Sequence, residues 1–204
     1  MKLRRLEMLL EQVTGFANPR PDREQYQTPA PLAARLLYTA FLAGDITNLR
    51  ILELGSGTGI LGIGSALLGA GEVIGVELDP DANKIAEQNA ADLGVAIELI
   101  RADIADTGSW NIVPFADTVI MNPPFGAQKE HADRPFIDLA LARAEVVYGI
   151  FNAGSESFLI EYIRDRADII GVIAAEFTIP RTFFFHTDDR RDIPVEIIIF
   201  RKTR

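Results

Sequence analysis

The sequence predicts an open, doubly wound α/β sheet of seven strands with an N-terminal helical extension, on three observations. Short apolar runs suited to buried parallel strands recur at 50–54, 72–78, 96–101, 117–121, 146–151, 169–177 and 195–200. Segments with apolar residues at helical spacing, near 61–68, 81–93, 134–145 and 157–166, separate most of these runs, which is the alternation of βαβ units. The last two runs have only a loop over 178–194 between them, so an antiparallel hairpin with an antiparallel last strand is expected to close the sheet.

Ahead of that alternation, Leu3, Leu6, Leu9, Leu10 and Val13 fall on one helical face, and Asn18-Pro19-Arg20-Pro21 ends the helix. After the loop carrying Gln25-Tyr26-Gln27-Thr28-Pro29 the helical period resumes over 32–42, with Thr28 or Pro29 placed to start it. Neither a repeat nor a low-complexity linker follows. A single domain over 1–204 is expected, with residues 1–44 its helical extension and 45–204 a Rossmann-like core.

The 204 residues suffice for one such domain, and 48% hydrophobic with 24% charged residues exclude a disordered or collagen-like chain. The absence of cysteine excludes disulfides, a thiolate nucleophile and cysteine-ligated zinc within the chain, and fits a reducing compartment. Glu7 and Glu11 interrupt what would otherwise follow the basic Met1-Lys2-Leu3-Arg4-Arg5 as a secretory segment. Residues 54–71 form an uncharged run near the length of a membrane helix, but seven of them are glycine, which suits a loop leading into a buried helix. A cytoplasmic protein without membrane association is expected. The net charge of −9 argues against a general nucleic-acid coat. It is uneven: residues 51–100 hold one basic and eight acidic side chains, whereas the ends are less acidic. Arg4, Arg5, Arg20, Arg23, Arg181, Arg190, Arg191, Arg201, Lys202 and Arg204 would form one basic face if the termini met, and would otherwise be scattered surface charges.

Glu53-Leu54-Gly55-Ser56-Gly57-Thr58-Gly59 follows the first strand and opens a helix, so bare backbone N–H groups can approach a ligand there. Residues 57–62 also fit G-x-G-x-x-G, so the loop alone does not choose between a nicotinamide cofactor and S-adenosylmethionine. Two acids choose the latter. Glu53 would repel a pyrophosphate but suits the sulfonium and ammonium groups of S-adenosylmethionine. Glu77, at the end of the second strand, is placed to accept hydrogen bonds from both ribose hydroxyls. Asp79 beside Pro80 is read as a helix cap. Asp103 and Ile104 end the third strand, where a carboxylate can bind the adenine amine and an apolar side chain can cover the ring.

Asn122-Pro123-Pro124-Phe125 follows the fourth strand, at the edge where open α/β sheets bind ligands. The prolines stiffen the turn so that the Asn122 amide oxygen and the Pro123 carbonyl can accept both protons of one planar amine. Those bonds localise the nitrogen lone pair for attack on a sulfonium methyl without a strong base. Phe125 offers a face for a flipped base.

Together the glycine loop, Glu77 and the Asn-Pro-Pro-Phe motif resemble class I S-adenosylmethionine methyltransferases that act on amines. Gln25-Tyr26-Gln27-Thr28-Pro29, residues 33–38, 61–64 and 68–71, and Ile193-Pro194-Val195-Glu196 narrow the resemblance to the methyltransferase-like protein five family, which makes N6-methyladenosine in small-subunit ribosomal RNA. The resemblance covers nearly the whole chain from Gln25. It implies that Gln25 and Thr28 lie over the cofactor, that Gly55, Thr58 and Ile60 line it from below, that Glu77 holds the ribose, and that Asp103 with Ile104 holds the adenine; Gly57 and Glu53, read from the loop itself, complete the expected cofactor site. It also implies a partner, a small zinc-binding methyltransferase activator that adds a strand to the third strand at the sheet's edge, unless a helix or loop of the chain covers that edge; lysine at Ile97 or Leu99, whichever faces outward, is expected to block the association. Two departures stand out: Phe151-Asn152 where relatives carry a basic pair, and His186-Thr187-Asp188-Asp189-Arg190-Arg191 where they carry a lysine-rich run.

Three other activities remain open at this point. A glutamine side-chain amide would suit the same acceptors, although there the motif usually ends in tyrosine and follows an extra helical domain. A cofactor-binding module without catalysis would be expected to lose Asn122 or Glu77, and a dehydrogenase has no use for Asn-Pro-Pro-Phe. His131 and His186 have no metal-ligand spacing, so no metal site is expected, and Trp110 and Phe183-Phe184-Phe185 read as core or rim hydrophobics.

Overall fold

The computed structural model describes residues 1–20, 24–126, 130–180 and 190–203. Seven strands form one sheet in the order β3-β2-β1-β4-β5-β7-β6. They are β1 Arg50–Leu54, β2 Glu72–Glu77, β3 Glu98–Arg101, β4 Thr118–Met121, β5 Val146–Asn152, β6 Ala167–Pro180 and β7 Arg190–Lys202. The first five run parallel, and β7 lies antiparallel between β5 and β6. The helices are α1 Leu3–Leu10, α2 Ala30–Ala43, α3 Ile60–Leu67, α4 Pro80–Asp92, α5 Arg134–Arg143 and α6 Glu156–Ile163. Every expected strand and helix is present, and the strand order with β7 antiparallel is that of the expected doubly wound sheet.

Both faces of the sheet are covered, which is why its central strands read as continuous apolar runs. Alternate residues enter two cores. Ile51, Ile120, Tyr148 and Ile197 pack with Leu6 and Leu10 of α1 and Leu36 and Leu37 of α2. Leu52, Val119, Val147 and Ile198 pack with Ile137 and Leu141 of α5 and Leu159 and Ile163 of α6. The N-terminal extension is thus part of one covering layer. The α1 helix stops at Leu10, well before the Asn18-Pro19 signal, and residues 11–20 run on as turns toward the sheet's ligand edge.

The sheet departs most from expectation at β3, β6 and β7. The β3 strand begins at Glu98 instead of residue 96, so the edge is short. The β6 and β7 strands extend further than their apolar runs because their ladder continues past the sheet, with Glu176 paired to Pro194 and Pro180 to Arg190. A 3₁₀ turn over Thr107–Ile112, capped by the Asp106 carboxylate accepting from the Gly108 N–H, had no apolar period to announce it.

Register places the site. Leu54 is level with Val76 on one side and with Met121 on the other. The next residues, Gly55, Glu77 and Asn122, therefore emerge side by side at the carboxyl edge. They flank the β1/β4 boundary, where the strand order reverses and a doubly wound sheet opens a crevice.

Candidate active site

A cavity opens at that crevice, and Gln25, Thr28, Glu53, Gly55, Gly57, Thr58, Ile60, Glu77, Asp103, Ile104, Asn122, Pro123, Pro124 and Phe125 all line it. Four carboxylates (Glu24, Glu53, Glu77 and Asp103) face it, and no cationic side chain does among the described lining residues. Such a wall repels a nucleotide pyrophosphate and favours a cationic ligand.

Gly55 and Gly57 have φ of +68° and +52°, a conformation other residues rarely adopt. A Cβ on Gly55 would come within 2.8 Å of the Phe136 ring, and one on Gly57 within 2.8 Å of Phe16. The loop is therefore a cradle closed from two sides by aromatic rings. Neither ring carried a motif signal: Phe136 reads as one more apolar residue of α5, and Phe16 as part of a turn. Asn89 of α4 fixes the same loop, its side-chain amide donating to the Thr14 and Thr58 carbonyls while its oxygen accepts from the Thr14 N–H.

Glu77 accepts from the Gly57 N–H at 2.9 Å through one oxygen and from the Asp79 N–H at 2.8 Å through the other. Its carboxylate is thereby held square to the cavity, with lone pairs left for two hydroxyls. Asp79 caps α4 as expected, accepting from the Asp81 N–H, and Gln25 donates to it at 2.9 Å. The Gln25 bond, first among several favourable contacts, holds the Asp79 carboxyl below its ordinary range. Gln25 is thus locked between Asp79 and the Arg20 N–H. Asp103 accepts from the Ala105 N–H, and Ile104 is held by the Trp110 indole donating to its carbonyl. Trp110 is half-buried against the α5–α6 core, a packing and positioning residue.

Glu53 is 3% exposed beneath the loop, accepting from the Gly62 N–H at 2.7 Å. Burial pushes its carboxyl up to about 8. Below that pH Glu53 holds its proton, and a cation bound beside it would ionise it.

At the acceptor end, the Asn122 Nδ2 donates to Thr28 Oγ1 at 2.9 Å. Its Oδ1 is buried and has no donor among the described residues. A buried acceptor without a partner costs about 1–3 kcal/mol, and a ligand amine would relieve that cost. Thr28, expected over the cofactor, lines the cavity but is bonded to the acceptor motif. Phe125 is clamped as well: its N–H donates to Glu24 at 2.6 Å, its carbonyl accepts from the Asn152 amide at 3.1 Å, and its ring meets Phe177 edge-on at 5.6 Å. Asn152 is one of the two departures from the family pattern, and here it holds the motif.

The remaining readings concern residues outside this cavity. Among the described residues there is no cluster of three metal-ligating side chains, and no helix is long and apolar enough to cross a membrane. His131 is exposed. His186, Phe183-Phe184-Phe185, Arg23, Arg181 and Arg204 lie outside the described residues. Ile97 and Leu99 do not face outward: the Ile97 side chain lies against Gly59 and the Leu99 side chain against Gly75. Both therefore belong to the packing between β3, β2 and the glycine loop, and lysine there would disrupt the fold before it tested an edge.

Residues 32–145 match the family model of the Methyltransferase small domain. The chain is 35% identical to the rRNA N(6)-adenosine-methyltransferase METTL5 of Danio rerio, with 100% of both chains covered. It is 34% identical to the Mettl5 enzyme of Drosophila melanogaster over 96% of this chain and 94% of that one. A crystal structure of a candidate RNA methyltransferase from Pyrococcus horikoshii superposes with a TM-score of 0.89 at 35% identity, covering 100% of this chain and 99% of the other. Full-length identity at this level, on a chain that brings the glycine cradle, Glu77 and the Asn-Pro-Pro-Phe turn to one crevice, places it: the protein belongs to the methyltransferase-like protein five family of class I methyltransferases.

Proposed function

We propose that the protein transfers a methyl group from S-adenosylmethionine to the N6 amine of adenosine in RNA, and that its substrate is small-subunit ribosomal RNA. The observation that carries this reading is the buried, partnerless Asn122 Oδ1 beside an acidic cradle. The cradle fits the donor in charge and in shape, since the glycine backbone leaves room that side chains would fill. When bound, the donor supplies an electrophilic sulfonium methyl. Glu77 binds the ribose hydroxyls, Asp103 and Ile104 the adenine, and Glu53 the charged end. Asn122 Oδ1 and the Pro123 carbonyl orient the acceptor amine by taking its two N–H bonds, and Phe125, clamped by Glu24 and Asn152, stacks on the flipped base. The amine proton is shed to water after transfer, so no base of high pKa is required.

A small zinc-binding activator protein and a cytoplasmic location belong to the same proposal. The β3 strand is an edge of the sheet. The Ala102 N–H donates inward to Glu77, so by alternation the Arg101 N–H turns outward, available to an added strand. Arg101→Pro should weaken association with the activator while Ile97 and Leu99 keep their packing. Undiminished association would remove the edge from the proposal.

The test of activity is incubation of the purified protein, with and without the activator, with labelled S-adenosylmethionine and separated small- and large-subunit ribosomal RNA or total protein. The expected product is N6-methyladenosine in small-subunit RNA. Label in large-subunit RNA would overturn the subunit assignment, and label on protein glutamine the RNA assignment.

A further inference from the structure

We propose that Arg134 is a docking point for a backbone phosphate of the RNA, resting on the RNA reading above and extending it to a residue outside the catalytic cavity. Arg134 opens α5, the helix that follows β4, and Phe158 and Tyr162 lie on α6, the helix that follows β5. Helices that follow parallel strands begin at the carboxyl edge, the edge where Asn122 follows β4 and Asn152 ends β5. Arg134 therefore stands beside the cavity on the acceptor half of the sheet, away from Glu77 and Asp103 on the donor half. Two residues further along the same helix, Phe136 lines the cavity.

Three features mark this guanidinium as built for an external anion. Its Cζ lies 5.5 Å from the Phe158 ring centre and 5.4 Å from that of Tyr162, two rings stacked on each other at 5.4 Å. This mount holds the planar group against the two rings. Its Nε is buried without an acceptor, and the guanidinium makes no ion pair among the described residues. The nearby carboxylate that would neutralise it is already occupied: Asp138 accepts from the Tyr162 hydroxyl at 2.8 Å and pairs with Arg166 at 2.6 Å. In a chain of net charge −9, a cation so held and left unpaired is a departure that solvation alone does not require. The buried Nε is out of an external anion's reach, and the two terminal N–H₂ groups are the fork that matches two phosphate oxygens. A contact of this kind positions the strand and reads no sequence.

The test compares the full-length protein with Arg134→Gln and Arg134→Lys, measuring binding to a small-subunit ribosomal RNA transcript over a series of salt concentrations. Cofactor affinity, melting temperature and the split between kcat and KM for RNA are measured alongside. For Arg134→Gln the slope of log affinity against log salt should fall by about 0.7 to 0.9, with affinity at low salt reduced roughly threefold to tenfold. KM for RNA should rise, with kcat at saturating RNA and cofactor affinity unchanged. Arg134→Lys should restore the slope but only part of the affinity, because it keeps the charge and loses the fork. If Arg134→Gln merely disturbed packing, the lysine variant would share its slope, and that result overturns the proposal even where the melting temperature drops. An unchanged slope in Arg134→Gln, with wild-type protein methylating RNA, refutes the docking role and leaves the RNA reading intact. Wild-type protein that neither binds nor methylates the transcript overturns both.

Discussion

The pH dependence of stability should be dominated by one side chain, Glu53. In the native state its carboxyl is buried and pushed up to about 8, against an ordinary value of 4.5. A folded-state pKa above the unfolded one means that the native protein holds the proton more tightly. Below pH 4.5 both states are protonated and the full contribution is present. Between 4.5 and 8 the unfolded chain has ionised while the native one has not, so stability declines with rising pH, and above 8 the loss is complete. At 1.36 kcal/mol per unit the difference is on the order of 5 kcal/mol, enough to halve the stability of a typical domain. Glu53→Gln keeps an oxygen for the Gly62 N–H and removes the titration. Urea unfolding of both proteins from pH 5 to 9 should therefore give a wild-type-minus-variant difference that falls with pH and levels off near 8. A difference that is flat over that range would refute the buried, proton-holding environment. The same coupling has a sign in binding: a cationic ligand favours ionised Glu53, so S-adenosylmethionine should release a proton below pH 8, visible by calorimetry in buffers of different ionisation enthalpy. S-adenosylhomocysteine, without the sulfonium charge, should release fewer.

Asn122→Ala should lower methyl transfer by at least about 100-fold, the scale of removing one preorganised group at a reacting centre, with cofactor affinity within a few-fold; wild-type turnover would remove Asn122 from the acceptor site. Glu77→Ala should weaken the cofactor by about 1.5 to 3 kcal/mol, measured by calorimetry, because charge-assisted bonds are lost and the Gly57 and Asp79 N–H groups are stranded. Thr28→Val, which strands the Asn122 Nδ2, should lower kcat roughly tenfold with little change in cofactor affinity. A rise in cofactor Kd at unchanged kcat would return Thr28 to the cofactor side.

The fold was legible because both faces of the sheet are covered. Runs such as Ile51-Leu52 and Val119-Ile120-Met121 had to be apolar throughout, and the helices between them had to keep one apolar stripe. The cradle and the Asn-Pro-Pro-Phe turn were legible because their chemistry depends on residue types at fixed local spacing. What escaped was non-local. Phe16 and Phe136 close the glycine loop from segments 41 and 79 residues away from Gly57, by position rather than by any distinctive residue type. Asn152 looked like a gap in a basic pattern and is a hydrogen-bond donor to Phe125. Ile97 and Leu99 alternate as an edge strand should, but the choice of face depends on what lies above Gly59 and Gly75, which spacing along one strand does not encode.

Residues 24–28 connect these observations. Within five positions, Glu24 holds the Phe125 N–H, Gln25 holds Asp79 beside the ribose-binding acid, and Thr28 holds the Asn122 amide. Gln27 anchors the segment from behind by donating to the Val13 carbonyl. The stretch thus bonds to the donor half and the acceptor half of the crevice at once, beyond the carboxyl ends of β1 and β4, where their ladder has stopped. Rigidity at the site comes from this strap as much as from the strands, since Asn122 and Phe125 sit beyond the end of β4 and have no ladder to hold them. The N-terminal extension therefore does two things: it covers one face of the sheet and it carries the strap. Leu6, Leu10 and Val13 fix the strap's origin in one covering layer, and α2 fixes its exit, so two packed helices stretch a five-residue segment over the place where a methyl group must meet an amine in line.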